Sequence, residues 1–85
     1  MVKRSKILEK VLSGSKNIRF DEFVALLEGF GFELKRISGS YRIFKHPDIP
    51  DTFTAQPDKS GQAKPYQVRK LLKAIEEHDL VLKED

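Results

Sequence analysis

The hydrophobic pattern changes from helical to extended within residues 23–46, which read FVALLEGFGFELKRISGSYRIFKH. In the first part of this stretch the apolar residues recur at the i, i+3, i+4, i+7 spacing of one buried helix face, as Phe23, Leu26, Leu27 and Phe30. Beyond Gly31, apolar and charged residues alternate over residues 32–37, which is typical of a strand with one buried face. The stretch therefore predicts a helix that ends between Gly29 and Gly31 and is followed directly by a strand.

Two more strands are predicted to follow the first along the chain. Residues 38–40, which read Ser-Gly-Ser, are a turn signal, and the β-prone run 41–46 completes a hairpin. Residues 47–51 are predicted to be a loop, with Pro50 confined to a turn or a sheet edge. Residues 52–56 are predicted to form a third, shorter strand.

Amphipathic helices are predicted at both ends of the chain. Residues 4–13 place their apolar side chains on one face, and Pro65 suits the first turn of a final helix with the buried stripe Val68, Leu71, Leu72 and Ile75. The predicted fold class is α+β, in the order helix, helix, three-stranded antiparallel sheet, helix. We expect the two longer helices to cover one sheet face, while the other face stays in solvent and carries Lys35, Arg42 and Lys45.

The composition is that of an ordinary globular protein, since 39% of the 85 residues are hydrophobic and 34% are charged. This length predicts a single domain over residues 1–85, in which residues 1–17 are an extra N-terminal helix with its linker and residues 18–80 are the core. Because the chain has no cysteine, disulfide scaffolds and thiolate metal sites are excluded. The apolar runs are short and broken by charges, so we expect a cytoplasmic protein with no membrane segment, metal or small-molecule cofactor.

Positive charge is concentrated in the middle of the chain. Residues 35–73 contain nine Lys or Arg and three Asp, which leaves +6, whereas residues 74–85 contain one Lys and five acidic residues, which leaves −4. The middle segment is therefore the part expected to face a polyanion such as nucleic acid. A solvated basic face without a ligand is the alternative, and charge alone does not separate the two.

Two histidines are candidates for acid–base chemistry on RNA, because cleavage without a metal needs a group that titrates near neutrality. His78 lies near the C-terminus of the last helix, where an imidazolium favours the helix dipole, so a structural role is expected for it. His46 closes the second strand and precedes Pro47. For His46 a structural or RNA-contacting role and a direct chemical role both remain open.

Phosphate-binding candidates lie at and beyond the start of the last helix. Lys64 precedes the proline that opens this helix, where unpaired N–H groups and the helix dipole favour an anion. Arg69 and Lys73 follow on one helix face. Tyr41 and Tyr66 are suited to stack a base or bind a phosphate, but each is equally compatible with a half-buried aromatic residue.

Three segments resemble the HicA toxins of HicAB toxin–antitoxin modules, namely residues 26–32 (LLEGFGF), 39–47 (GSYRIFKHP) and 63–73 (AKPYQVRKLLK). The resemblance covers about residues 20 to 80. It implies an α-β-β-β-α sandwich like that of double-stranded-RNA-binding domains, here with one additional N-terminal helix. It also implies ribosome-independent mRNA cleavage without a metal, and inhibition by a HicB antitoxin that covers the site.

The second of these segments departs from the family at one position. The residue after Gly-Ser is the catalytic histidine in HicA toxins and is Tyr41 here. A phenol is a poor general base at neutral pH. Three explanations remain open: a substituted, non-toxic form; a natural variant that uses Tyr41 as an acid or phosphate donor with help from His46; or a protein that binds RNA or its partner without cutting.

The leading hypothesis is an RNA-directed toxin, a metal-independent endoribonuclease by resemblance, whose activity is impaired by Tyr41. Its predicted partners are mRNA and a HicB-like antitoxin. The predicted catalytic residues are Tyr41 and His46, and the predicted RNA-binding residues are Gly39, Ser40, Arg42, Lys45, Lys64, Arg69 and Lys73. The alternatives are a non-catalytic RNA-binding module and a protein-interaction domain of the same fold.

Overall fold

The computed structural model describes residues 3–83, so residues 1, 2, 84 and 85 of the predicted domain lie outside the described range. Its elements are α1 (Arg4–Leu12), α2 (Phe20–Gly29), β1 (Glu33–Ser38), β2 (Tyr41–His46), β3 (Ile49–Ala55) and α3 (Pro65–His78). The strands form one antiparallel sheet in the order β1-β2-β3. The predicted α+β class is confirmed, because α2 to α3 follow the α-β-β-β-α order and α1 is the additional N-terminal helix. None of the helices in the described range is long and apolar enough to span a membrane.

The helix α2 begins at an acidic cap and ends at a glycine. At its start the Glu22 carboxylate accepts the backbone N–H of Arg19 at 2.9 Å, and the acidic residues of the first turn complement the helix dipole. Beyond its end Gly31 has a φ of +97°, and a Cβ there would lie 2.9 Å from the Nε2 atom of His46. Both the left-handed backbone and the close approach of the imidazole require glycine, so the chain leaves the helix here and enters β1.

The third strand is longer than predicted. It begins at Ile49, so the predicted loop at residues 47–51 is wrong for its last three residues, and a two-residue turn separates β2 from β3. His46 pairs with Ile49 across this turn. Pro50 lies within β3, where it is tolerated because β3 is an edge strand of the sheet.

The first strand is exposed along its whole length, although its alternating sequence predicts one buried face. Leu34 is 41% exposed and Ile37 is 59% exposed. The reason is that the hydrophobic core lies against β2 and β3 and includes no residue of β1. Position at the sheet edge does not explain it, because the other edge strand, β3, buries Phe53 and Ala55. A register shift between Leu34 and Arg36 also interrupts the alternation within β1.

The hydrophobic core lies between the helices and the face of β2 and β3 that they cover. The Phe53 ring of β3 connects the two layers, with its centroid 6.1 Å from that of Phe23 on α2 and 5.6 Å from that of Phe32. The apolar residues with no exposed surface are Phe23, Leu26, Leu27, Phe44, Ala55 and Leu71. Several of them belong to the predicted stripes of α2 and α3, so the apolar spacing correctly identified the buried face of each helix.

The additional helix α1 packs against α2. Ile7 and Val11 are buried, and Lys10 Nζ lies 3.2 Å from the Glu22 carboxylate of α2. The segment after α3 also reaches α2, where the N–H of Lys83 donates to the carbonyl at the last helical residue at 2.7 Å. The first helix and the segment after α3 therefore both contact α2.

Candidate functional site

The hairpin between β1 and β2 is closed by a two-residue turn of Gly39 and Ser40, because Ser38 pairs with Tyr41 in the ladder. Gly39 has a φ of +61°, as the first central position of a type II′ turn requires. Tyr41 opens β2 and is 47% exposed. The predicted catalytic position therefore lies at the exposed end of a strand, beside a tight turn.

A polar network joins this turn to the start of α3. The Nε2 atom of Gln56 donates to Ser40 Oγ at 2.7 Å, and the Oε1 atom of the same amide accepts from Lys64 Nζ at 3.1 Å. Gln56 directly follows β3, and Lys64 directly precedes α3. One side chain thus bridges two predicted RNA-binding residues that lie 24 positions apart in the chain.

Gln67 of α3 anchors this network to the core. Its side chain is only 2% exposed, and its amide contacts the backbone of Gln56. In the orientation that satisfies both partners, the Gln67 amide nitrogen donates to the Gln56 carbonyl at 3.2 Å and its oxygen accepts the Gln56 N–H at 3.3 Å. These two hydrogen bonds join the residue after β3 to the first turn of α3. They fix the backbone position of Gln56.

These contacts connect Ser40, Gln56 and Lys64, which together with the turn neighbours Gly39 and Tyr41 we name the hairpin–helix patch. Gly39, Ser40 and Tyr41 are exposed, and Gln56 and Lys64 are half-buried. The hydroxyl of Tyr66, which lies 3.3 Å from the Gln67 amide, adjoins it. The patch offers a hydroxyl group, an ammonium group and an exposed phenol ring, and the N-terminus of α3 adds positive potential. Such a set of donors is suited to bind an anion such as a phosphate group. Within residues 3–83 no three His, Cys, Asp or Glu side chains are grouped as a metal site requires.

Sequence reasoning missed the two glutamines of this region. Gln67 does carry a signal, because it lies four positions before Leu71 on the helix face that the apolar stripe marks as buried. A polar side chain at such a position must find hydrogen-bond partners inside the protein. Gln56 carries no comparable signal, because only the fold brings Lys64 and Ser40 close to it.

Arg42 lies on the helix-covered side of the sheet, so its predicted place on the open face is wrong. Its guanidinium carbon is 5.3 Å from the centroid of the Phe20 ring at the start of α2. Strand alternation explains this, because Arg42 shares its side of β2 with the buried Phe44 and His46. Its ladder partner is Ala55, the last residue of β3, so its backbone lies at the end of the sheet from which Gln56 continues.

Two of the other predicted phosphate ligands, Lys45 and Lys73, lie away from the hairpin–helix patch, whereas Arg69 follows Lys64 by five residues. Lys45 is near the far end of β2, where its Nζ donates to the Pro50 carbonyl at 2.9 Å. Lys73 lies further along α3, with its Nζ 3.7 Å from the Glu77 carboxylate. Arg69 lines a cleft between α1 and α3. The positions of Lys45 and Lys73 in their elements therefore separate them from Ser40 and Lys64. Arg69 is closer, because the cleft that it lines also includes Ala63 and Pro65, the two chain neighbours of Lys64.

The imidazole of His46 is enclosed at the opposite end of β2 from Tyr41, and the residue is only 7% exposed. Its Nδ1 atom accepts the N–H of Asp48 at 3.0 Å, so the ring proton is on Nε2, which donates to the Phe30 carbonyl at 3.0 Å. Phe32 meets the ring edge-on, with centroids 5.1 Å apart. With a rise of about 3.3 Å per residue, the strand separates His46 from Tyr41 by roughly 16 Å. Both ring nitrogens bond to backbone groups, which favours the structural role of His46 over the chemical one.

The loop between Gln56 and Lys64 is folded around Asp58. One carboxylate oxygen accepts the N–H of Gln62 at 2.9 Å, and the N–H and hydroxyl of Ser60 at 2.9 and 2.8 Å. The bond from the Gln62 backbone first, and then that from the Ser60 hydroxyl, favour the charged form and lower the pKa of Asp58 below its usual value of 3.8. A loop with these internal bonds limits the positions that Lys64 is able to take.

Comparison with known proteins identifies a family. A family model described as the HicA toxin of bacterial toxin-antitoxin matches residues 20–76, which are about two thirds of the chain and run from the start of α2 into the last turns of α3. All residues of the hairpin–helix patch lie within the matched range. Neither the curated proteins nor the solved structures give a significant match.

Proposed function

Because the chain belongs to the HicA toxin family, we propose that it binds RNA through the hairpin–helix patch. The family consists of toxins of bacterial toxin–antitoxin systems with RNase activity, and such a toxin is paired with an antitoxin. The matched residues include the whole patch, whereas α1 lies outside them. The patch therefore lies within the part of the molecule that this chain shares with the family.

The observation that supports RNA binding is the hydrogen-bonded series Ser40, Gln56 and Lys64. It links a hydroxyl group and an ammonium group through one amide, and the exposed Tyr41 follows Ser40 directly in the chain. Phosphate oxygens accept hydrogen bonds from both donors, and an aromatic face stacks an unpaired base. Arg42 adds a second positive charge at the same end of the sheet.

We propose further that this chain cleaves RNA poorly. Deprotonation of a 2′-hydroxyl needs a general base next to the phosphate. Tyr41 occupies the position at which the resemblance places a catalytic histidine, and a phenol is a poor base at neutral pH. His46 is not a substitute, because both of its nitrogens are bonded to backbone groups at the other end of β2.

A non-catalytic RNA-binding module is the second candidate, and the same features of Tyr41 and His46 favour it. The two candidates differ in one respect. In an impaired toxin, a histidine at position 41 restores cleavage, because the remaining parts of the site are present. In a binding module, the same change leaves RNA uncut.

The proposed substrate is mRNA in the cytoplasm, and the proposed protein partner is a HicB-like antitoxin that covers the hairpin–helix patch. The positive charges of Lys64 and Arg42 suit a partner that presents acidic side chains. Co-purification of the chain with the product of a neighbouring HicB-like gene is the expected result. A Lys64→Glu variant should bind that protein more weakly, because it places a like charge opposite the acidic partner.

Growth of a bacterial host after induction tests the proposed function. The chain and its Tyr41→His variant are each expressed with and without the antitoxin gene. Arrest by the histidine variant alone, relieved by the antitoxin, is the expected result. Arrest by both forms would contradict impaired cleavage, and arrest by neither, with RNA binding retained, would favour the binding module. Absence of RNA binding at low salt would contradict both candidates.

A further inference from the structure

We infer that Gln56 is a positioning residue, which orients Ser40 and Lys64 as two donors to one phosphate group of the RNA. This inference rests on the proposed function, because it assumes that the hairpin–helix patch binds RNA. Gln56 acts through its two neighbours, since both polar atoms of its amide are already bonded to them.

The orientation of the Gln56 amide follows from the chemistry of its neighbours. An ammonium group has only donors, so the amide atom that lies 3.1 Å from Lys64 Nζ is the oxygen. The amide nitrogen then faces Ser40, whose oxygen accepts at 2.7 Å. The hydroxyl proton of Ser40 therefore points away from Gln56 and remains available to another acceptor.

Gln56 also holds Lys64 without neutralising it. Several other lysines within residues 3–83 lie beside carboxylates, namely Lys6, Lys10, Lys35 and Lys73. Lys64 bonds instead to a neutral amide, which leaves its full charge and two of its N–H donors for an anion. A glutamate at position 56 would pair with the ammonium and offset the charge that attracts phosphate.

The backbone of Gln56 is fixed as well. The buried amide of Gln67 bonds to its carbonyl and its N–H, at 3.2 and 3.3 Å. The Gln56 side chain therefore extends from a fixed point and reaches Ser40 on one side and Lys64 on the other. A lysine stem is flexible, and ordering it before RNA arrives removes part of the entropic cost of binding.

The substitution Gln56→Met tests the inference, because methionine keeps the length of glutamine and removes both hydrogen bonds. Binding of a fluorescein-labelled single-stranded RNA of mixed sequence is measured by anisotropy over a series of salt concentrations. The proteins compared are the parent chain, Gln56→Met, Lys64→Ala and the double variant. Gln62→Met is the matched control, at another glutamine before α3. Thermal unfolding shows that each variant is folded.

We expect Gln56→Met to weaken RNA binding by roughly five- to tenfold. Lys64→Ala should weaken RNA binding further. It should also reduce the magnitude of the negative slope of log K against log salt by about one, because one phosphate contact is lost. In the Lys64→Ala background, Gln56→Met should add less than about a twofold effect, because the main group that it positions is absent. Gln62→Met should bind as the parent does.

A second substitution, Gln56→Glu, keeps the inference testable if methionine disturbs folding. The carboxylate retains the contact with Lys64 but offsets its charge. The salt slope should therefore fall by about one, as it does for Lys64→Ala, while the melting temperature stays close to that of the parent.

Three results would overturn the inference, and they are distinguishable. If Gln56→Met and Gln56→Glu bind RNA as the parent does while Lys64→Ala binds weakly, Gln56 does not position Lys64, and the proposed function stands. If Gln56→Met reduces RNA affinity equally in the parent and in the Lys64→Ala background, the substitution has a general structural effect and does not act through Lys64. If the parent binds no RNA at low salt, the proposed function fails and the inference fails with it.

Discussion

The Nε2 atom of His46 lies 3.0 Å from the carbonyl oxygen of Phe30, and this hydrogen bond joins the end of β2 to the end of α2. On the other side of the ring, Nδ1 accepts the N–H of Asp48 in the turn before β3. A neutral imidazole has one donor and one acceptor, so a single buried side chain satisfies a carbonyl and an N–H group. In this geometry His46 links helix and sheet.

Removal of this link should destabilise the protein. His46→Ala leaves two backbone groups without their partner and removes the ring that packs on Phe32, so we expect the free energy of unfolding to fall by about 2–4 kcal/mol. Urea denaturation measures the change. His78→Ala is the control, because His78 is an exposed residue at the end of α3, and it should change stability by less than about 0.5 kcal/mol. Similar small effects for both variants would contradict the structural role of His46.

Gly31→Ala should be more costly than the same change at Gly14. Both glycines have a positive φ, +97° and +82°, so alanine strains the backbone at each by about 1–2 kcal/mol. At Gly31 the added Cβ also meets His46 Nε2 at 2.9 Å, whereas at Gly14 it meets nothing within 4 Å. The difference between the two unfolding free energies should be at least about 1 kcal/mol. Equal values would show that the imidazole moves aside at no cost.

Tyr41→His should restore RNA cleavage if this chain is an impaired toxin. A general base typically contributes roughly 10²- to 10⁴-fold in rate, so the variant should cut RNA faster than the parent by a factor of that order. Cleavage of a labelled RNA by the purified proteins measures it. The control is Tyr41→Phe, which supplies no general base and should cut no faster than the parent. A Tyr41→His protein that binds RNA without cutting it would support the binding module.

Substitution of the lysines should separate the hairpin–helix patch from the rest of the basic surface. Lys64→Ala should lower the salt slope of RNA binding by about one. Lys45 and Lys73 lie outside the patch and contact the Pro50 carbonyl and the Glu77 carboxylate, so Lys45→Ala and Lys73→Ala should leave the slope close to that of the parent. Anisotropy titrations of the three variants provide the comparison. A smaller salt dependence of RNA binding in all three variants would show that the RNA-binding surface extends along the sheet and α3.

Acid should weaken the loop that is folded around Asp58. The folded-state pKa of Asp58 is lowered from 3.8, so its charged form stabilises the fold above that pH, and this contribution is lost as the pH falls through the lowered pKa. Asp58→Asn should therefore be less stable than the parent at neutral pH, and the difference should shrink below about pH 4. Urea denaturation at several pH values measures it, with Asp51→Asn at an exposed carboxylate of β3 as the control. A difference that does not change with pH would contradict this account.

The spacing of apolar and turn residues along the chain was sufficient to predict the helices and the hairpin. Phe23, Leu26 and Leu71 are buried as the apolar stripes predict, because a helix buries one face whatever packs against it. The turn at residues 39 and 40 was also predictable, since glycine and serine between two β-prone runs close a hairpin on their own.

The sheet was less predictable, because strand burial depends on neighbours that are distant in the chain. Leu34 and Ile37 alternate with charged residues as in a half-buried strand, but the core forms against β2 and β3, and the side chains of β1 stay exposed. Arg42 is placed by the register of β2, which puts it on the side of Phe44 and beside Phe20. Alternation along the strand groups Arg42 with Phe44 on one side of β2 and leaves Ile43 on the other. Each side thus carries an apolar residue, so only the tertiary structure decides which side the helices cover.

Residues that are close together in the chain account for the α+β class, the order of the elements, the family resemblance and the tyrosine at position 41. Each of these features depends on short-range spacing or on residue identity, which the amino-acid order contains directly. The bond from Lys64 to Gln56, and from Gln56 to Ser40, depends instead on the packing of α3 against the end of the sheet. The hydrogen bond between His46 and the Phe30 carbonyl likewise depends on the packing of helix against sheet. Hydrogen bonds are short and directional, so groups far apart in the chain form them only after the burial of the core has fixed where each backbone segment lies.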